Sequence, residues 1–202
     1  FTGFDLEMAA EVAKRLNLTI AYQPIAWDAK DMELDAGTID CIWNGFTMNG
    51  REDDYEWSKP YMKNNQVFVV RGDSDINSEA DLAGKNVEVQ TDSSAEAALN
   101  DNSELTSMFG SLTPVADYNT AFMDLESGAV DAIAMDDVVA SYQITSRKAD
   151  FKVLDDVIAA EEYGIGFKKG NTGLRDKVQA TLEEMAADGT AAKISEKWFG
   201  KD

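Results

Sequence analysis

Residues 34–43 read LDAGTIDCIW, and residues 125–134 read LESGAVDAIA. Leu, Gly, Asp and Ile recur in register. The match extends upstream without a gap, so that 27–43 lies over 118–134, with Trp27 opening one copy and Tyr118 the other. The first half of each copy has helical spacing, through Met32 and Leu34 or through Phe122, Met123 and Leu125. Gly37 or Gly128 then stands where a helix ends in a left-handed residue. The apolar runs 39–43 and 130–134 that follow read as buried strands. Each copy is therefore a helix, a Gly stop and a buried strand, and one copy per half predicts two similar α/β lobes in one chain. The helix–Gly–strand order is common, but a gapless match of this length argues against coincidence. Two copies are too few for a solenoid.

The bulk composition narrows the function. A chain of 202 residues holds one large domain or two small ones. Its net charge of −20 argues against nucleic acid, because phosphate binding needs a basic face. It also disfavours adhesion to anionic lipid. No apolar run approaches the length of a membrane span. The sequence contains no His, the commonest general base and metal ligand. Its single cysteine, Cys41, falls in an expected buried strand and reads as a small core residue. No cofactor is expected.

Along the chain, Asp5 reads as the N-cap of a helix reaching about Leu16, with Leu6, Ala9, Ala13 and Leu16 as its apolar face. Leu18–Tyr22 reads as a strand. Asn44–Arg51 reads as a polar, Gly-bearing loop after the strand 39–43, and 66–71 as a strong strand. A βαβ series follows: strand 86–90, helix from Ser93, strand 111–115, the second copy, helix 136–147, and separate strands 151–154 and 163–167. Two helices close the chain. Strands alternating with helices imply parallel sheets. With no Pro/Gly/Ser linker, the lobes are expected at 1–70 plus 164–202 and at 73–160, with hinge crossings at 70–73 and 160–164.

In such sheets ligands bind beyond the carboxyl ends of strands. Three such ends carry polar groups. Asn44, Gly45, Thr47 and Arg51 follow 39–43, and a guanidinium forks onto a carboxylate. A lone Arg in Arg-Glu-Asp-Asp is more often a solvated charge. Gln90, Ser93 and Ser94 follow 86–90, where free N–H groups at a helix start hold an anion or Ser93 is simply a cap. Asp136 follows 131–135, suited to an ammonium or to capping. Trp27 offers an apolar wall. Together these groups describe a free α-amino acid held between two lobes.

The whole chain resembles the polar amino-acid substrate-binding proteins of ABC transporters, in their two-lobed periplasmic-binding type II form. The stretches that carry the resemblance are Gly3-Phe4-Asp5-Leu6-Glu7-Met8, Trp27-Asp28, Gly37-Thr38-Ile39-Asp40, Trp57-Ser58-Lys59-Pro60-Tyr61 and Asp81-Leu82-Ala83-Gly84-Lys85. To these add Tyr163-Gly164-Ile165-Gly166-Phe167-Lys168-Lys169-Gly170 and the ending from Asp188-Gly189-Thr190 through Lys197-Trp198-Phe199-Gly200. The resemblance implies that the Gly45 carbonyl and Thr47 hydroxyl take an ammonium, with Asp136 as its charged partner. It implies that Arg51 takes the α-carboxylate with Ser93 and Ser94, that Trp27 stacks on the ligand with Gln90 nearby, and that Asn44 and Phe46 belong to the same stretch. Family members usually carry one more residue between the Thr and the Arg.

The resemblance also implies hinge closure on the ligand, docking on a membrane permease, and a place outside the cytoplasmic membrane, in the periplasm or lipid-anchored, after removal of a signal peptide. The chain opens abruptly at Phe1, and a strand upstream of it is expected. The molecule is expected to be a monomer unless another chain replaces that strand. An alternative on the same scaffold is a cyclohexadienyl dehydratase, for which Glu161 and Glu162 are the candidate acid–base residues, otherwise expected to be solvated. A third is the sensor lobes of a receptor, against which the ending Trp198–Asp202 reads as a C-terminus.

Overall fold

The computed structural model describes residues 1–147 and 149–200. The elements are α1 (Phe4–Arg15), α2 (Lys30–Ala36), β1 (Cys41–Thr47), β2 (Glu56–Trp57), β3 (Met62–Arg71), β4 (Asn86–Gln90), α3 (Ser94–Asp101) and α4 (Ser103–Thr106). They continue with β5 (Ser111–Val115), α5 (Tyr118–Ser127), β6 (Ala132–Asp136), α6 (Asp137–Arg147), β7 (Phe151–Phe167), α7 (Thr172–Ala187) and α8 (Thr190–Phe199). The chain forms two compact units. Unit 1 takes Phe1–Ile25, Ala29–Met62 and the residues from Glu162 on, and unit 2 takes Ala26–Asp28 and Lys63–Glu161. Strands β3 and β7 each pass from one unit into the other.

Both copies of the repeat fold alike. Gly37 and Gly128 have φ of 76° and 79° and close α2 and α5 in the same way. The Gly37 N–H donates to the Leu34 carbonyl and the Thr38 N–H to that of Glu33. In the second copy the Gly128 N–H donates to Leu125 and the Ala129 N–H to Asp124. Only a residue tolerant of the left-handed region turns the chain this sharply into the next strand.

In unit 2 the order is β7-β3-β6-β4-β5. Strand β4 runs parallel to β5 and β6, and β3 antiparallel to β6. Side chains alternate across a strand. Ala132 and Ala134 therefore join one core with Phe68, Val87, Val89 and Leu99, while Ile133 and Met135 join another with Val69, Phe122, Leu125 and Ala140. Helices cover both faces, so Ala132–Met135 of β6 are buried on both sides, as in doubly covered sheets. In unit 1 the end of β7 pairs antiparallel with β1 and β2. Its core joins Met8 and Val12 to Ile165, Phe167, Val178, Leu182, Met185 and Ile194.

Five sequence expectations need correction. The inward row of α1 is Phe4, Met8, Val12 and Leu16, the i, i+4 row of a helix, and not Leu6 and Ala9. Asp5 lies beside that row and does not cap; the N-cap is Gly3, with no side-chain cap bond. Residues 18–22 form no strand, and Leu18 and Ile20 are exposed; strand propensity needs a ladder partner before it becomes a strand. Residues 44–47 are not loop but the second half of β1, and 151–167 is one strand and not two.

Candidate functional site

In unit 1, β1 carries the first group of expected site residues. Its pairing with β7 runs Ile42 to Gly166 and then Phe46 to Gly164, so four steps on β1 face two on β7. The surplus is a bulge containing Trp43, Asn44 and Gly45. Bulges re-aim side chains and end regular pairing. Gly45 has φ of 74°, and a Cβ there would lie 3.0 Å from the Tyr163 ring. The chain therefore requires Gly at this point for two separate reasons. Beyond the bulge, Phe46 and Thr47 are buried and Asn44 is exposed. Arg51 is half-buried. Its Nη1 donates to the Thr47 carbonyl at 3.3 Å, its guanidinium stands 5.3 Å from the centre of the Phe46 ring, and its own carbonyl accepts from Trp57 Nε1. A half-buried fork bonded to the Thr47 carbonyl and set beside the Phe46 ring is not the solvated charge its acidic neighbours suggest.

Behind the bulge lies a group that sequence reading missed. The Tyr61 hydroxyl accepts from the Gly45 N–H at 3.3 Å. It also bonds to the carboxyl of Asp5, whose Oδ1 is buried and without a partner among the described residues. Burial pushes Asp5 up to about 6, against the pull of Tyr61, the Gly45 amide and the Trp43 indole. Burial and Asp5 together raise the Tyr61 hydroxyl well above its ordinary value. A hydroxyl that bridges a carboxyl and the Gly45 amide steadies the bulge.

In unit 2, the second group gathers at the start of α3. Ser93 is its N-cap, buried, with Oγ accepting from the Glu96 N–H at 3.1 Å. The Glu96 carboxylate accepts in return from the Asp92 N–H at 2.6 Å. Asp92 has φ of 59°, a conformation that Asp tolerates better than most residues. The Trp27 indole N–H donates to the Asp92 carbonyl at 3.1 Å, which ties residues 26–28 to this helix start. Gln90, at the end of β4, donates to the Ala116 carbonyl at 3.2 Å.

Asp136 ends β6, and a buried polar cluster surrounds it. Its Oδ1 accepts from Asn64 Nδ2 at 3.0 Å and from Gln66 Nε2 at 2.9 Å. Its Oδ2 accepts from the Tyr118 hydroxyl at 3.4 Å. The same two amides donate to Glu161 Oε1 at 2.7 and 2.8 Å, and Gln66 Nε2 also donates to Ser94 Oγ at 3.0 Å. Burial, and after it the Asp136 carboxylate, raise Tyr118 well above its ordinary value. Glu161 is 6% exposed. The expectation that both hinge-side glutamates are solvated therefore holds for Glu162, which is exposed, and fails for Glu161. The residue faces the amides of β3 because β7 does not break there.

Unit 1 thus brings together Asn44, Gly45, Phe46, Thr47 and Arg51. Unit 2 brings Ser93 and Ser94 onto one helix start, with Trp27 bonded beside it and Asp136 joined to Ser94 through Gln66. Asn64, Gln66, Tyr118, Asp5 and Tyr61 were missed as site residues, and Glu161 was singled out only for the dehydratase alternative. Asn64 and Gln66 had a visible signal: two amides at strand spacing, on one face, before the apolar run 67–70. Among the described residues no group of three or more acidic or Cys side chains is placed to hold a metal ion.

An α/β chain of two units, with charged groups held at strand ends, has the architecture of type II periplasmic binding proteins. The chain belongs to the bacterial extracellular solute-binding proteins, family 3, which it matches over residues 1–201. It is 33% identical to the L-cystine-binding protein TcyA of Bacillus subtilis (strain 168), covering 100% of this chain and 74% of that protein. It is 32% identical to the L-cystine-binding protein TcyJ of Escherichia coli (strain K12), covering 100% and 75%. An ABC uptake transporter substrate-binding protein from Streptococcus pneumoniae, solved with bound histidine, superposes with a TM-score of 0.95 at 33% identity over 100% of this chain and 84% of that one. An ancestral arginine-binding protein bound to glutamine gives 0.90 at 34% identity over 99% and 88%. These relatives are binding proteins, and nothing in them favours the dehydratase alternative. No helix of the described residues is long and apolar enough to cross a membrane.

Proposed function

We propose that the protein captures a free α-amino acid outside the cytoplasmic membrane and hands it to an ABC permease. The observation that carries this is the presence of one packed group of each sign: a guanidinium at Arg51, in the turn after β1 of unit 1, and a carboxylate at Asp136, at the end of β6 of unit 2. Arg51 takes the α-carboxylate, with help from the N–H groups and hydroxyls at Ser93 and Ser94. Asp136, the Gly45 carbonyl and the Thr47 hydroxyl take the ammonium. Trp27 stacks on the side chain, with Gln90 beside it. A ligand that bonds to residues of both units favours the arrangement in which all those bonds form, and so drives hinge closure. No step needs a general base. Relatives that bind cystine, histidine or arginine support a polar amino acid as the ligand. The extracellular character of the family supports export, with or without a lipid anchor.

Isothermal titration of the protein with the common amino acids and L-cystine, one at a time, tests this. At least one is expected to bind with a Kd of about 1 μM or tighter, roughly −8 kcal/mol. Binding to none of them contradicts the proposal.

A further inference from the structure

We propose that Trp57 is the positioning residue of the carboxylate site, and that it holds Arg51 both at its backbone and at its guanidinium head. The inference rests on the amino-acid-binding reading, and every residue in it belongs to unit 1. Arg51 stands in the turn after β1. Its N–H donates to the Met48 carbonyl at 2.9 Å, and its carbonyl accepts from the Asp54 N–H at 3.1 Å. Trp57 lies on the two-residue strand β2 and is buried. Its indole N–H donates to that same carbonyl at 3.0 Å. A buried indole N–H without a partner is costly, so the indole and the turn fix each other. The arginine head turns back to the end of β1, bonded to the Thr47 carbonyl and 5.3 Å from the centre of the Phe46 ring. The Trp57 ring braces Phe46 with centroids 4.8 Å apart, and Tyr55 stands 4.9 Å from Phe46 and 5.1 Å from Trp57. Trp57 therefore touches the backbone of Arg51 through its nitrogen and reaches the head through Phe46.

Two glycines of β7 make room for these rings. Trp57 is paired with Gly166, and Phe46 with Gly164. A Cβ on Gly166 would lie 2.7 Å from the Phe46 ring and 3.5 Å from that of Trp57. One on Gly164 would lie 3.1 Å from the Trp57 ring and 2.5 Å from the Met48 sulfur. The stretch Tyr163-Gly164-Ile165-Gly166-Phe167 is thus a strand left bare where the rings sit. Close packing of this kind leaves a ring few other positions. An arginine seated on it gives up less freedom when a carboxylate arrives, and preorganisation of that sort strengthens binding.

The test is isothermal titration of wild type, Trp57→Phe, Arg51→Ala and the double variant. The probes are L-histidine, L-arginine and L-cystine, and the α-carboxamide of whichever binds best: L-histidinamide, L-argininamide or L-cystine diamide. Trp57→Phe keeps a ring on the two glycines and removes the indole N–H. It is expected to weaken the amino acid at least about tenfold and the carboxamide by no more than about twofold. In the Arg51→Ala background it is expected to weaken the amino acid no further. A second readout needs no ligand: phenylglyoxal, followed by mass spectrometry, is expected to modify Arg51 at least about threefold faster in Trp57→Phe than in wild type. Trp198→Phe, which loses an indole bond to Glu7 elsewhere in unit 1, is expected to change neither readout. If Trp57→Phe does not fold, Trp57→Tyr, which also lacks the indole N–H, is judged by the same criteria. Equal weakening of amino acid and carboxamide marks a purely structural residue and overturns the inference. So do additive losses in the double variant, unchanged amino-acid binding in Trp57→Phe, or an unchanged rate of modification. If folded wild type binds none of the three amino acids, the functional proposal falls and the carboxylate role of Trp57 with it, while the modification rate alone still decides whether Trp57 holds Arg51.

Discussion

Asp5 shows how one side chain takes a role that its neighbours in sequence do not suggest. Beside a strong N-terminal helix pattern an Asp reads as a cap, yet here the helix turns it inward beside Phe4 and Met8. Its carboxyl, pushed up to about 6 by burial, gives a signed prediction. The folded state keeps a proton that the unfolded chain releases near the ordinary value of 3.8. The stability Asp5 contributes is therefore complete below that value and is lost as pH rises through about 6, a total of about 2–3 kcal/mol. Asp5→Asn is expected to match wild type in melting temperature near pH 4 and to exceed it near pH 7. A difference that shrinks with rising pH contradicts the assignment. Glu88 is raised by burial and by the Asp124 carboxylate, and it acts in the same direction. Ser93 is the simpler residue: its Oγ caps α3, and Ser93→Ala is expected to cost about 1 kcal/mol of stability by chemical denaturation.

Among the elements, β1 has the most consequence. A bulge in it supplies Asn44 and Gly45, and the strand then delivers Phe46, Thr47 and, after a turn, Arg51. Gly45→Ala meets both a left-handed φ and the Tyr163 ring. It is expected to lower stability by about 1–3 kcal/mol and to weaken amino-acid binding; a variant with wild-type melting temperature would show that the bulge relaxes freely. This element also shows where the sequence was legible. The helix–Gly–strand repeat predicted two α/β units, because glycine at a helix stop and an apolar run are local signals. That residues 44–47 continue the strand was not legible, because the ladder partner lies on β7, far along the chain. The same holds for Asn64, Gln66 and Glu161, which become one cluster only when β3, β6 and β7 lie side by side. Residues 18–22 show the converse: local strand propensity with no partner gave no strand.

For the molecule as a whole, charge is the feature that composition shows and the fold refines. The net charge of −20 says little about where anions are used. The packing does: it buries Glu161 against two amides and holds the Asp136 carboxylate beside it, while Arg51 is the guanidinium that the β1 bulge delivers. The central claim is the proposed one: that Arg51 takes the carboxylate of an α-amino acid and Asp136 its ammonium. The most direct test is to titrate wild type, Arg51→Ala and Asp136→Asn with whichever amino acid binds wild type best. Each variant is expected to weaken binding at least a hundredfold, about 3 kcal/mol, while melting as a folded protein. Either variant binding within a few-fold of wild type would contradict the account, because the ligand's carboxylate or its ammonium would then be held by residues other than these.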